Sequence, residues 1–100
     1  MSYRPKRLGD TVTFTFTTKD VTGTLADPAS WEINFYDPSG VLKVGPLTSP
    51  AKVSLGVFTQ KITLPTQTEG GLKGIWELKV KAIFSGGDVK NGRRGLEVEN

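Results

Sequence analysis

Neither cysteine nor histidine occurs in these 100 residues. Without cysteine there is no disulfide framework and no thiolate metal site, so the core must hold by packing alone, and the chain suits any redox compartment. Without histidine as well, the commonest general base, the commonest nucleophile and the commonest zinc ligands are gone, which removes most hydrolase schemes. No stretch approaches the roughly 18 apolar residues of a membrane span. The opening MSYRPKRLGD has no apolar centre to act as a signal peptide, so export by the usual route is not expected. An excess of one charge is missing too. The 13 basic and 10 acidic residues leave a net +3, too nearly balanced to announce a nucleic-acid or acidic-membrane surface. The basic residues gather at the two ends, as Arg4, Lys6 and Arg7 and as Arg93 and Arg94, and such terminal clusters read as solvated ends.

What is present is a period of two. Residues 1–9, with Pro5 and three basic side chains, carry no period and read as an extended basic arm; residues 10–100 read as one domain. Val12, Phe14 and Phe16 alternate with Thr11, Thr13, Thr15 and Thr17, which predicts a strand with one wet face. Asp20 and Gly23 suit a turn, Thr24 to Ala26 a short strand, and Asp27-Pro28 its end. Trp31, Ile33 and Phe35 then share one face of a strand that stops at Asp37-Pro38-Ser39-Gly40, a type I turn sequence. Val41 to Val44 returns as its hairpin partner, up to the breaker Gly45-Pro46, and Lys52 to Leu55 reads as a further short strand.

The longest amphipathic stretch is Gly56 to Phe84. Phe58, Ile62 and Leu64 fall on even positions, as do Trp76, Leu78, Val80, Ala82 and Phe84, which suggests two long strands of a hairpin joined across the glycine-marked turn from Pro65 to Gly74. After the tight turn Ser85-Gly86-Gly87-Asp88, Val89 to Val98 forms a last strand broken by Gly92 and Gly95, with Leu96 and Val98 inward. Seven or eight antiparallel strands with closely spaced turns and no helical period predict an all-β, immunoglobulin-like β-sandwich, an open barrel being the alternative.

Candidate chemistry is sparse. Asp20, Asp27 and Asp37 all lie in or beside turns, where a carboxylate pair or a calcium site is conceivable, but their spacing is that of turn formers. Gly70-Gly71 and Gly86-Gly87 follow no strand into a helix and suit turns rather than a phosphate cradle. Trp31 and Trp76 share faces with aliphatic neighbours and read as core rather than as stacking platforms. The odd-face Val57, Ile75 and Ile83 are apolar residues on a wet face, the mark of a subunit interface, and with Tyr3, Arg4, Lys6 and Arg7 of the arm they are the expected partner-binding residues. No cofactor and no metal are expected.

The succession GDTVTF, DVTGTLADP, WEINFYDPSG, GVFTQKITLP, GIWELKV and GRRGLEVEN resembles the macroglobulin-like and bacterial Ig-like modules over nearly the whole chain after Gly9. Leu96 stands where the closing strand of those modules usually has an aromatic residue. A stand-alone module of this length is similar to small proteins encoded among the head and tail genes of tailed bacteriophages. That resemblance implies a non-enzymatic virion structural or accessory protein (capsid decoration, neck or tail component), made in the host cytoplasm and located in the virion. Its implied partners are other virion proteins and further copies of itself, with no nucleic acid, membrane or small-molecule substrate. The alternative is a carbohydrate- or cell-surface-binding Ig-like module using an exposed Trp or Tyr. Fold kinship alone transfers function poorly.

Overall fold

In the computed structural model, which describes residues 6–99, the period-two stretches become eight strands: β1 (Lys6–Arg7), β2 (Thr11–Thr17), β3 (Ser30–Tyr36), β4 (Leu42–Leu47), β5 (Ala51–Ser54), β6 (Val57–Thr63), β7 (Gly74–Ile83) and β8 (Val89–Glu99). A single 3₁₀ turn covers Gln67–Glu69. The strands form an all-β sandwich: a five-stranded sheet ordered β1-β8-β7-β3-β4 lies against a three-stranded sheet ordered β2-β6-β5.

The core fills the space between the two sheets from the even positions of β2, β6, β7 and β8 and the odd positions of β3. Val12, Phe14, Phe16, Phe58 and Ile62 come from the smaller sheet, and Trp31, Ile33, Phe35, Trp76, Leu78, Ala82 and Val98 from the larger. Aromatic rings cross between the layers: Phe14 meets Phe35 edge-on at 5.9 Å, and Trp31 lies 5.7 Å from Phe16 and 5.0 Å from Phe58. Phe35 stacks on Trp76 at 5.1 Å. Trp76 is fully enclosed, and its indole N–H donates to the Leu72 carbonyl at 2.8 Å, so burial of the ring leaves no orphaned donor.

Several expectations are corrected. The stretch from Gly56 to Phe84 is two strands but not a hairpin. β6 pairs with β2 and β5, β7 pairs with β3 and β8, and residues 64–73 carry the chain from one sheet to the other. Alternation reports which face of a strand is dry, and two dry faces meet as well by stacking across a core as by lying side by side. Thr24 to Ala26 is not a strand; the only pairing there is the bridge between Lys19 and Leu25. β4 runs through the expected breaker, with a cis Gly45-Pro46 bond inside it and two register shifts against β3. An edge strand tolerates proline because one side of it has no ladder to complete. At Gly45 a Cβ would sit 2.6 Å from the Ile33 carbonyl oxygen, and φ is +124°, so only glycine fits.

Gly92 and Gly95 do not break β8 either: its ladder with β7 is continuous from Val89 opposite Ile83 to Val98 opposite Gly74. Leu96 pairs with Trp76 and packs on the core. Not every pairing is antiparallel. Within the expected arm, residues 1–5 lie outside the described residues, while Lys6 and Arg7 form β1, which runs parallel to β8 opposite Val98 and Glu99. Leu8 follows, donating its N–H to the Glu99 carbonyl at 3.0 Å and packing against the core. Residues 6–8 are therefore part of the sandwich rather than of a free arm, because a half-buried leucine and an open strand end are both available to hold them.

Candidate functional site

The expected partner-binding residues do not converge. Tyr3 and Arg4 lie outside the described residues. Lys6 and Arg7 are exposed on β1, where the Arg7 guanidinium is 3.5 Å from Glu99 and its backbone N–H donates to Asp10 at 2.9 Å, so Arg7 is engaged within its own chain. Val57 is half-buried on the outer face of the three-stranded sheet. Ile75 and Ile83 are on the outer face of the other sheet, eight positions apart on β7, or about 27 Å. Ile75 is 61% exposed and Ile83 half-buried. These three residues occupy opposite outer faces and make no single patch.

The three aspartates are each committed to a separate local structure. Asp20 Oδ1 accepts from the Thr22 N–H, the Thr22 hydroxyl and the Thr24 N–H. Asp37 Oδ1 accepts from the Ser39 N–H and hydroxyl and from the Val41 N–H. Asp27 receives the Lys52 ammonium at 2.6 Å on one oxygen and the Gly56 N–H at 2.8 Å on the other. These donors stabilise the ionised form. The Thr22 hydroxyl leads for Asp20, the Lys52 ammonium for Asp27 and the Ser39 hydroxyl for Asp37, and each carboxyl is held below its ordinary value. Among the described residues no three carboxylates gather as a metal site.

The most distinctive surface lies where the two sheets do not match in width. β2 is an edge of the smaller sheet, and beyond it the inner face of β8 is open from Lys90 to Arg94, while Leu96 and Val98 are covered by the core. The register with β7 puts Val98, Leu96, Arg94, Gly92 and Lys90 opposite Val98's partner Gly74 and then Trp76, Leu78, Val80 and Ala82. Those β7 residues from Trp76 onward form its core face, so Arg94, Gly92 and Lys90 point to the same side as the core. They line a groove of about 410 Å³ whose floor is Trp31, Leu78, Val80 and Ala82 and whose far wall is β2 from Thr15 to Thr17. Its charged lining residues, Lys90, Arg93 and Arg94, are all basic.

The backbone of β2 faces this groove with unspent hydrogen-bonding groups. Asp10 accepts from the Leu64 N–H and Thr18 donates to the Gly56 carbonyl, so the even residues of this segment bond toward β6 and the odd ones, Thr11, Thr13, Thr15 and Thr17, turn their N–H and C=O groups to the free edge. Arg94 makes the one hydrogen bond observed there, from Nη2 to the Thr15 carbonyl at 3.3 Å. Its guanidinium also lies 6.0 Å from the Phe14 ring centre.

Arg93 and Arg94 read in the sequence as a solvated terminal cluster. A signal for Arg94 was available nonetheless: extending the inward parity of Leu96 and Val98 back along the strand brings Arg94, Gly92 and Lys90 onto the core side, and two cations there mean that nothing covers them. Both tryptophans are buried, as their aliphatic neighbours predict, which removes them as sugar platforms. No protein-family model matches the chain, and no match is found among curated proteins or solved structures.

Proposed function

We propose that the chain is a non-enzymatic structural or accessory protein of a tailed-phage particle, one that works by docking on other virion proteins. The observation that carries the protein-docking part of this reading is the free edge of β2 beside an open, basic-walled groove. Unpaired strand edges bind other polypeptides by adding a strand, whereas soluble monomers blunt them. The phage setting rests on the order of sequence motifs. The strand order supports the Ig-like kinship behind it: β3-β7-β8 and β2-β6-β5 follow the C-F-G and B-E-D neighbours of immunoglobulin-like sandwiches. The commitment of Asp20, Asp27 and Asp37 to separate local structures favours a scaffold over a carboxylate-pair hydrolase.

The test is co-purification. Phage particles raised with an epitope-tagged copy of the chain should carry the tag through a density gradient at a fixed copy number. A tag that remains in the soluble fraction overturns the virion role.

A further inference from the structure

We infer that the groove between β2 and β8 accepts an extended polypeptide strand rich in Asp or Glu at alternate positions, which joins the three-stranded sheet as a fourth strand beyond β2. This deepens the protein-docking reading and rests on it only in taking the partner to be a polypeptide; it does not require a virus particle.

The sandwich has four sheet edges, and three of them are guarded. β1 has only two residues, both basic. β4 contains Lys43 and Pro46 and two register shifts. β5 has four residues, among them Lys52, and a register shift. Shortness, charge, proline and bulges are the usual defences against a foreign strand. β2 has none of them: TVTFTFT is seven residues long, uncharged, free of proline and in unbroken register with β6.

A strand laid along that edge would meet the outward N–H and C=O groups of Thr11, Thr13, Thr15 and Thr17. Alternate side chains of the newcomer would point down into the groove, toward Lys90 and Arg94. Arg94 now occupies the Thr15 carbonyl. An incoming N–H takes over that carbonyl and releases the guanidinium to a carboxylate, so no polar group is orphaned and the arginine gains a charge-assisted partner.

The occupant's charge follows from the lining. Lys90 and Arg94, the cations on the core side of β8, are met by no acidic residue in the groove, while Arg93 at its rim turns to the outer face and pairs with Glu77 at 4.0 Å, so a basic strand is repelled and an acidic one attracted. The same charges disfavour a second copy of this chain. Pairing two β2 edges would bring Lys90 and Arg94 of both copies under one junction.

The experiment is an array of eight-residue peptides with glutamate at alternate positions and all residues sampled between them. It is read beside matching arrays with lysine in place of glutamate and with alternate backbone amides N-methylated. Glutamate peptides should bind, the lysine and N-methyl versions should lose at least about tenfold in affinity, and Arg94→Glu, which leaves Lys90 as the one inward cation, should abolish the preference for glutamate over lysine. Arg94→Glu changes an exposed residue, and the N-methyl arm leaves the protein unaltered, so loss of folding cannot mimic the result. Thr15→Pro, which removes an outward N–H, should also abolish binding while Lys81→Glu on the outer face leaves it unchanged. Absence of binding by any glutamate peptide, equal binding by the N-methylated set, or a dimer that forms through β2 and is abolished by Thr15→Pro overturns the inference. None of these outcomes bears on whether the chain is found in a particle.

Discussion

Asp20 and Asp37 make the same set of hydrogen bonds in two different hairpin turns. Each carboxylate accepts from the N–H and hydroxyl two residues on and from the N–H four residues on. Each residue also donates its own N–H to the carbonyl four residues on, and accepts from a glycine at φ near +85° three residues on. The segments are Asp-Val-Thr-Gly-Thr and Asp-Pro-Ser-Gly-Val, and the turn at Phe84 to Asp88 repeats the backbone pattern without the carboxylate. A type I turn closed by a left-handed glycine is one of the common hairpin connections, so the chain uses one turn design three times.

The two aspartates should nonetheless differ in what they contribute. Asp37 is buried at 4% exposure, while Asp20 is half-buried and its hydrogen bonds are exposed. Asp37→Ala is expected to lower the melting temperature more than Asp20→Ala, because water replaces a lost acceptor less readily in a covered turn. Thermal unfolding followed by circular dichroism decides it, and an equal or reversed order would count against the shared design acting as described.

Acid should unfold the protein in one direction only. The Thr66 N–H holds Glu69 below its ordinary value, as the Thr22 hydroxyl, Lys52 ammonium and Ser39 hydroxyl do for Asp20, Asp27 and Asp37. Folded values below unfolded ones mean that the unfolded chain takes up protons first as pH falls. The stabilisation is complete above the ordinary carboxylate range, about pH 4, and is lost as pH drops through the folded values. With no histidine, little change is expected between about pH 5 and 8. Urea midpoints measured from neutral to acid pH should show this, and Asp37→Asn should flatten the acid limb.

Both indoles should be silent to quenchers. Trp31 is 6% exposed and Trp76 is fully buried against Phe35. Iodide is expected to leave native fluorescence nearly unchanged and to quench it strongly in urea. Trp76→Phe should cost about 1–3 kcal/mol, from lost volume and from the Leu72 carbonyl losing its donor. Ready quenching of the native protein would mean that the core is not closed over β7.

At the first strand, burial should matter more than charge. Leu8→Ala removes a half-buried side chain from the core and is expected to cost about 1 kcal/mol. Arg7→Ala breaks only an exposed ion pair with Glu99 and should stay within about 0.5 kcal/mol. Denaturant titration of the two variants tests whether residues 6–8 belong to the sandwich.

Much of this fold was legible in the alternation itself. The inward faces of β2, β3, β6 and β7, the turn roles of Asp20 and Asp37, and the burial of both tryptophans all follow from residues two apart facing the same way. These are local facts, settled within a few residues by the pleat and by turn chemistry. Partnership is not local. Phe58 and Trp76 have the same parity and the same need for burial whether their strands lie in one sheet or face each other across two, so the apparent hairpin of β6 and β7 came apart. The groove belongs to the same class of fact. Arg94 came to lie against the free edge of β2 only because a three-stranded sheet is too narrow to cover the Lys90 to Arg94 part of β8, and strand count and order come from the packing of the whole chain.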